Sequence, residues 1–272
     1  MTLLRAVALC AVLGLLLTAA ESPDLLNNPM DIVFDSVHNR YLVSNYADGR
    51  IISIDADNQQ RVVLQTGGHC KSLDLVGDTL YVAVDSRLCG YLLPSGDRFL
   101  DVKIETVYGT AGVAADDSGH VYVTAPEGRV FKVLVADGSH VLLADEGLKL
   151  HLHNCAFDRT RNRLIVVEHQ PQAPIKAVNI DDGSVSEWIR DGVGDWEGVA
   201  VGERGDIYVA SYDSDGSVYR IDAEGVEKPV LLSGGLGIPT GLTYNRREGI
   251  VALCCYEPSR VVFVTDTVRV GR

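Results

Sequence analysis

Short hydrophobic runs rich in β-forming residues recur along this chain at a nearly constant spacing. Each run opens at an anchor residue, and the residue two positions before the anchor is polar in four of the six copies. Subtracting successive anchor numbers gives steps of 41, 40, 42, 44 and 43 residues. A β-type repeat of this length predicts one propeller blade per copy. The anchors are Ile32, Leu73, Val113, Cys155, Val199 and Leu242.

The fifth repeat indicates how each blade is expected to fold. Hydrophobic runs at 198–201 and 207–211 predict the inner and second strands, with a polar turn between them. A third strand is predicted at 217–222, and a proline is tolerated in an outer edge strand at 228–232. The first repeat follows the same order, at 32–35, 40–44 and 49–55.

The repeat therefore predicts an all-β fold, a six-bladed β-propeller of four-stranded antiparallel blades. A β-sandwich does not explain six regular anchors, and no helical period follows the N-terminal segment. We expect residues 21–272 to form a single propeller domain. The last strand of blade six is expected from either 268–270 or 24–27.

The N-terminal segment, residues 1–20, has the pattern of a secretory signal peptide. Arg5 precedes an apolar run at 6–17, and small residues follow as far as Ala20. The run is shorter than the roughly 20 residues that a membrane span needs. We expect cleavage after Ala20 and a secreted or periplasmic protein without a membrane span.

The mature chain is strongly acidic. Removing Arg5 leaves 23 basic residues (24 − 1) against 37 acidic ones, a formal net charge of −14. Such a surface repels nucleic acids and anionic lipids, so neither is an expected partner. A monomer that binds a small molecule or a protein is expected instead.

Five cysteines remain after cleavage, and export permits disulfides. Because the number is odd, at least one thiol is free in a monomer. Cys70 and Cys89 are a candidate pair, since they flank the first two strands of repeat two. Cys155, Cys254 and Cys255 lie within hydrophobic runs and are predicted to be buried thiols.

The propeller geometry predicts which polar residues share one end of the central channel, which we call the mouth. Each inner strand starts at the mouth, and the antiparallel second strand ends beside it. The residues two before the anchors are Met30, Lys71, Ala111, His153, Glu197 and Thr240. The residues that close the second strands are Asn45-Tyr46, Asp85, Pro126-Glu127, Glu168-His169, Tyr212-Asp213 and Tyr256-Glu257.

Histidine and carboxylate side chains are concentrated at the mouth in blades four and five. His153 and Glu197 occupy equivalent positions in these neighbouring blades, and His169 closes a second strand. Imidazole and carboxylate groups together suit an acid–base pair or a divalent metal ion. We predict His153, Glu197 and His169 as catalytic residues, and Glu197, His153 and Asn154 as metal ligands. His151 alternates with His153 along the strand, so both side chains are expected on one face.

Other polar and aromatic residues of the mouth are predicted to bind a ligand. Tyrosine rings there suit sugars or protein partners. A wetted channel rim is the alternative for each of these residues, and Trp188 and Trp196 are expected to pack between blades. The predicted ligand-binding residues are Asp31, Asn45, Tyr46, Lys71, Asp85, Glu168, Tyr212, Asp213 and Tyr256.

Four segments carry a family resemblance. They read Glu-Gly-Val-Ala-Val at 197–201, Gly-Asp-Ile-Tyr-Val-Ala-Ser-Tyr at 205–212, Ser-Asn-Tyr-Ala-Asp-Gly-Arg-Ile at 44–51, and Asn-Cys-Ala-Phe-Asp at 154–158. The chain resembles the regucalcin/gluconolactonase family and the broader NHL-type six-bladed propellers over residues 28–266. The likeness is specific for the fold, because such repeats mark blade geometry more than chemistry.

The resemblance implies one calcium ion in the channel, held by a glutamate, two asparagines and an aspartate. There the metal polarises a lactone carbonyl and the aspartate acts as a base. Glu197 takes the aspartate's place in this chain. His153 takes an asparagine's place, with Asn154 shifted one residue along the strand and so expected on the opposite face. Met30 stands in the glutamate's place, with Asp31 shifted likewise.

Two classes of function follow from the sequence. The first is an exported propeller that binds a small ligand or a protein partner at the mouth. The alternative is a metal-assisted hydrolase of the regucalcin/gluconolactonase type, acting on lactones or esters with a divalent cation, calcium by resemblance. The histidines and glutamates of blades four and five also resemble, loosely, the site of streptogramin lyases, whose propellers have seven blades.

Overall fold

The computed structural model describes residues 24–189, 194–212, 215–225 and 228–266. These residues form six antiparallel sheets, five with four strands and one with three, whose first strands contact one another in a closed ring. The predicted six-bladed β-propeller is confirmed. Within the described ranges there is no helix with the length and apolar character to cross a membrane. The predicted signal peptide at 1–20 lies outside the described residues.

Consecutive strands pair in chain order within each blade. Blade one contains β1 (Pro29–Asp35), β2 (Arg40–Asn45), β3 (Arg50–Asp55) and β4 (Gln60–Gln65). Blade two contains β5 (Cys70–Val76), β6 (Thr79–Val84), β7 (Arg87–Leu92) and β8 (Asp97–Lys103). Blade three contains β9 (Val113–Ala115), β10 (His120–Ala125), β11 (Arg129–Leu134) and β12 (His140–Ala144). Blade four contains β13 (Leu152–Asp158), β14 (Arg163–Glu168), β15 (Ile175–Asn179) and β16 (Val185–Ile189). Blade five contains β17 (Trp196–Val201), β18 (Ile207–Ser211), β19 (Ser217–Ile221) and β20 (Val230–Gly234). Blade six contains β21 (Pro239–Asn245), β22 (Ile250–Cys255) and β23 (Arg260–Thr265).

A hydrophobic core lies at each of the six interfaces between neighbouring blades. Between blades four and five, Trp196 is fully buried and its Nε1–H donates to the carbonyl of Ala173 at 3.0 Å. The ring of Trp188 lies 4.0 Å from the guanidinium carbon of Arg163. Trp196 belongs to the core between blades four and five and Trp188 packs against that core, so both tryptophans pack between blades, as predicted.

The interface between blades six and one joins the two ends of the chain. Residues 24–27 form no strand of blade six, and the segment they belong to lies across this interface. The N–H of Asn28 donates to Oγ of Ser259 in blade six at 3.1 Å. Residues 268–270, the other predicted source of the last strand, lie outside the described residues.

The five cysteines of the described residues are free and buried. The candidate bridge between Cys70 and Cys89 is wrong, because these residues lie in β5 and β7 with β6 between them. Adjacent strands are about 4.8 Å apart. Two such steps exceed the Cα separation of about 7 Å that a disulfide tolerates. Cys155, Cys254 and Cys255 are buried in strands, as predicted.

Candidate functional site

Two consecutive residues of the inner strands face the channel at the mouth. In five blades the pairing with the second strand shifts register just before the anchor. In blade three, two consecutive residues hydrogen-bond the backbone of Thr124: the N–H of Ala111 donates to the carbonyl of Thr124, and the carbonyl of Gly112 accepts the N–H of Thr124. Such a bulge sets two residues against one and turns both side chains towards the same region. Our expectation that Asn154 and Asp31 point away from the channel is therefore wrong, because both residues line it.

The mouth is thus built from two tiers of side chains. All residues of the outer ring line one cavity of about 300 Å³, which we call the mouth cavity. Tyr46, Pro126 and Tyr256 from the second-strand ends complete its wall. The outer ring is Met30, Lys71, Ala111, His153, Glu197 and Thr240, two residues before the anchors. The inner ring is Asp31, Ser72, Gly112, Asn154, Gly198 and Gly241, one residue before them.

A histidine–glutamate–histidine cluster lies at the wall of the mouth cavity in blades four and five. Nδ1 of His153 lies 2.7 Å from Oε2 of Glu197, and Nδ1 of His169 contacts the other carboxylate oxygen. Glu197 is 9% exposed, whereas the imidazoles are 31% and 32% exposed. Burial favours a higher pKa for Glu197, but the hydrogen bonds from His153 and His169 outweigh it and lower that pKa to about 2. The carboxylate is therefore ionised at neutral pH.

The two imidazoles of this cluster have different surroundings. Besides Glu197, His169 faces Asp195, whose Oδ1 lies 3.5 Å from Nε2. The hydrogen bond to Glu197 raises the pKa of His169 against the effect of burial, and the charge of Asp195 adds to the rise. His153 has no partner for Nε2 among the described residues. The cationic form is therefore favoured at His169, whereas His153 keeps one ring nitrogen that no described residue contacts.

Asp195 is a member of this cluster that the sequence analysis missed. Its backbone lies in the left-handed region, with φ of 61°, immediately before β17. It is held there by its N–H to the carbonyl of Gln170 and by its carbonyl, which accepts from the N–H of Tyr212, both at 2.8 Å. The only sequence sign is a Gly-Asp turn pair before Trp196, which does not distinguish a site residue from an ordinary turn.

Asn154 and Asp31 separate the mouth cavity from the rest of the channel, and we call this pair the floor. Asn154 lines the mouth cavity, whereas Asp31, a predicted ligand-binding residue, lines only the larger cavity beyond it. Nδ2 of Asn154 donates to Oδ2 of Asp31 at 3.4 Å, across the channel from blade four to blade one. The hydroxyl of Ser72 and the N–H of Leu73 donate to the same oxygen at 2.6 and 3.1 Å. Burial raises the pKa of Asp31 from its usual 3.8 to about 7, against these hydrogen bonds. A Cβ at Gly241 would lie 1.9 Å from Oδ1, so only glycine leaves room for this carboxyl group.

The channel continues beyond this floor as a larger cavity of about 600 Å³. Its described wall combines aliphatic inner-strand residues with aspartate and arginine side chains, and it contains no histidine. Asp74 there accepts the N–H of Ala115 from the next blade at 2.8 Å, which ties blades two and three together. The titratable cluster therefore opens to the mouth cavity and not to the larger one.

Lys71 faces this cluster from blade two, on the opposite side of the outer ring from Glu197. Burial lowers the pKa of Lys71, and the charge of Asp85 opposes that effect. Asp85 is itself exposed at the rim, where Oδ1 lies 3.0 Å from Nδ1 of His69. The ring of Tyr46 lies 5.0 Å from the ring of His69. Among these three predicted ligand-binding residues, Tyr46 and Lys71 line the mouth cavity and Asp85 lies outside it.

Two predicted ligand-binding residues are buried away from the cavity. The side chain of Asn45 donates to the carbonyl of Leu25 at 2.8 Å and accepts from the N–H of Asn27 at 3.2 Å. Oε1 of Glu168 lies 2.6 Å from Nζ of Lys176, and both side chains are buried in blade four. The structure places neither in the mouth cavity, because internal hydrogen bonds already occupy them: Asn45 holds the N-terminal segment and Glu168 neutralises a buried ammonium group.

The remaining predicted residues are distributed around the rim. Tyr256 lines the mouth cavity, and Tyr212 is 39% exposed with its ring 5.3 Å from that of His169. Asp213 lies outside the described residues. His151 precedes β13 in the left-handed region, with φ of 67°, so it does not continue the strand alternation that we expected.

His153, His169 and Glu197 also form a candidate metal centre, since one donor atom of each lies within 4.8 Å of the others. Calcium fits this set poorly, because it takes oxygen ligands. Two imidazoles with one carboxylate suit zinc or another first-row transition ion instead. Asn154, the third predicted ligand, lies in the floor, where its amide contacts Asp31. The calcium set implied by the family resemblance is therefore not assembled by these residues.

Comparisons with known proteins support the fold. No family model matches the chain, and no curated protein matches its sequence. A protein of unknown function from Bacteroides thetaiotaomicron has a TM-score of 0.72 at 13% identity, over 88% of this chain and 70% of that one. A gluconolactonase from Xanthomonas campestris has a TM-score of 0.71 at 15% identity, over 87% and 84%. A catalytically inactive His-to-Ala variant of virginiamycin B lyase from Staphylococcus aureus, bound to quinupristin, has a TM-score of 0.63 at 12% identity, over 89% and 85%. At these identities the likeness to gluconolactonase-like propellers is one of fold alone.

Proposed function

We propose that this chain is a small-molecule-binding propeller and that the mouth cavity is its ligand site. The observation that carries the proposal is the position of Glu197, buried between His153 and His169 at the cavity wall. Buried ion pairs add little stability once desolvation is counted. A half-open cluster beside a cavity is therefore better explained by a ligand than by the needs of the fold.

The shape and chemistry of the cavity suit a compact organic ligand. Its volume of about 300 Å³ lies at the lower end of small-molecule sites. Tyr46 and Tyr256 offer aromatic faces, and Met30 adds an apolar contact. Lys71 and His153 supply the polar groups that orient a ligand within such a lining.

An acid–base enzyme is the second candidate, and one observation favours it. In a neutral His153, the contact between Nδ1 and Glu197 favours the tautomer with its proton on Nδ1, which leaves the lone pair on Nε2. His153 would then accept a proton from a water or from the ligand, and Glu197 would stabilise the imidazolium. A gluconolactonase and a lyase inactivated by a His-to-Ala change share the fold, so hydrolase and lyase reactions are the first ones to test.

The test is a binding and turnover screen of lactones, esters and small polar metabolites, by calorimetry and by proton release. His153→Ala and Glu197→Gln should each lower turnover about a hundredfold or more if acid–base catalysis operates. His140→Ala is the control, because His140 pairs with Glu105 in blade three outside the mouth cavity. Wild-type binding and turnover in both mouth variants would show that the site lies elsewhere.

A metal-assisted hydrolase would lose turnover on treatment with a chelator and regain it with one transition ion, whereas metal-free acid–base chemistry would not respond.

We place the protein outside the cytoplasm because of the signal-peptide pattern at its N-terminus, and its mature form should then begin at Glu21. Sequencing of the N-terminus of the protein recovered from the medium or periplasm checks this.

A further inference from the structure

Lys71 is a partly buried cation without a counter-ion. No carboxylate of the described residues lies within ion-pair distance of its Nζ, which sits beside Gly109 at the mouth end of blade two. Asp85, the acidic group that influences it, is engaged with His69 instead. Lys176, which is buried inside blade four, does have a counter-ion, because its Nζ lies 2.6 Å from Oε1 of Glu168. The unpaired lysine is the one that lines the mouth cavity.

The rest of the cavity wall limits what can neutralise this ammonium group. Met30, Ala111 and Pro126 bring no charge, and the hydroxyl of Thr240 is already donated to backbone carbonyls. On the opposite wall both carboxylate oxygens of Glu197 are already in contact with the imidazoles of His153 and His169. Among the described residues of the wall, Lys71 is therefore the cation that no carboxylate of the protein already pairs with.

We propose that the mouth cavity binds a small monocarboxylate, whose carboxylate pairs with Lys71 while its body extends towards His153 and Glu197. This inference rests on the proposed function and narrows its ligand class. A single ammonium group matches the single charge of a carboxylate, whereas a phosphate dianion needs more donors than this wall supplies. The apolar and tyrosine surfaces between blades two and five cover the uncharged part of the ligand.

The experiment compares carboxylates with their neutral counterparts. The probes are D-gluconate against sorbitol and mandelate against mandelamide, at constant ionic strength, followed by calorimetry and by thermal shift. At least one carboxylate should bind wild type ten- to a hundredfold tighter, roughly, than its neutral counterpart. Lys71→Met should lose that margin, and Lys71→Arg should retain part of it because the charge remains.

Two controls separate ligand binding from folding. Lys103→Met removes the same charge from an exposed position in β8 and should leave carboxylate binding unchanged. Lys71→Met without ligand should melt at or above the wild-type temperature, because no internal partner is lost. A large fall in that melting temperature would assign Lys71 a structural role and overturn the inference.

The outcomes also separate this inference from the proposed function. If carboxylates stabilise wild type and Lys71→Met equally, including not at all, the monocarboxylate inference is overturned. Neutral ligands that bind through His153 in that case would leave the proposed function standing. Carboxylate binding that depends on Lys71 but is unchanged in His153→Ala and Glu197→Gln would uphold the charge pairing and overturn the role of the cluster.

Discussion

Replacing Asp31 with asparagine is expected to change the stability of the protein by an amount that depends on pH. Asp31 is 4% exposed, and its carboxyl group accepts a hydrogen bond from Asn154 across the channel. Its Oδ1 accepts the N–H of Ile32 at 2.9 Å. Its Oδ2 accepts from Ser72, Leu73 and Asn154 at 2.6, 3.1 and 3.4 Å. An asparagine of the same shape keeps the packing but does not titrate.

The magnitude follows from the pKa of Asp31, which burial raises from its usual 3.8 to about 7. The unfolded chain releases this proton near the lower value, whereas the folded protein keeps it until the higher one. The stability that Asp31 contributes is therefore fully present below 3.8 and is lost as pH rises to about 7. Each pH unit in this window is worth about 1.4 kcal/mol, so the loss is on the order of 4 kcal/mol.

Asparagine brings a penalty of its own. Its amide has one acceptor oxygen and an NH₂ group, so at least one of the donors around position 31 loses its acceptor. Such a loss costs about 1 to 3 kcal/mol in a buried site. The variant should therefore be less stable than wild type near pH 4.5 and more stable near pH 8, with the two curves crossing in between.

The assay is urea unfolding of wild type and Asp31→Asn at pH 4.5, 6 and 8. The difference between the two proteins isolates Asp31, because all other titrating groups cancel. Asp57→Asn, in an exposed turn, is the control for a change of net charge. A difference between wild type and Asp31→Asn that stays constant across these pH values would refute the reasoning, since it would mean that the hydrogen bonds outweigh burial.

Three further predictions concern the fold. Gly241→Ala should destabilise the protein by about 3 kcal/mol in urea unfolding, because its Cβ would lie 1.9 Å from an oxygen of Asp31. Gly234→Ala, whose Cβ would meet nothing closer than 3.5 Å, should change stability little, and an equal loss in both would contradict the steric reason. Lys176→Met should cost about 3 to 5 kcal/mol by leaving Glu168 buried and unpaired. The double variant Lys176→Met/Glu168→Leu should recover most of that loss, and failure to do so would mean that packing, not charge, is responsible. Alkylation in denaturant followed by mass spectrometry should count five free thiols in the mature protein, and a bridge between any two would contradict the strand separation.

Much of the architecture follows from local sequence pattern. The second strand of blade five, expected at 207–211, is observed as Ile207–Ser211, and other strands differ from expectation by a few residues at their ends. Alternation of side chains and β propensity act within a single strand, so they can be read without knowing the neighbours. The spacing of the anchors then places the outer ring at one mouth, where the structure has it.

The site itself depended on contacts between distant parts of the chain. A strand pattern does not reveal the bulge that turns Asn154 towards Asp31, 123 residues away in sequence. It does not reveal that Glu168 is neutralised by Lys176, or that Asp195 lies beside His169. Each of these is set by which strands become neighbours and by the pairing of buried charges.

By itself, then, the sequence determined a six-bladed propeller and the side chains that ring its mouth, because the β period and the repeat length are local properties. Tertiary structure alone decided which of those polar side chains are free for a ligand. Internal hydrogen bonds and ion pairs occupy Asn45 and Glu168, whereas His153 and Lys71 keep groups without an internal partner at the mouth cavity. The physical reason is that a buried polar group must find a partner, and only the folded chain shows whether the protein supplies it.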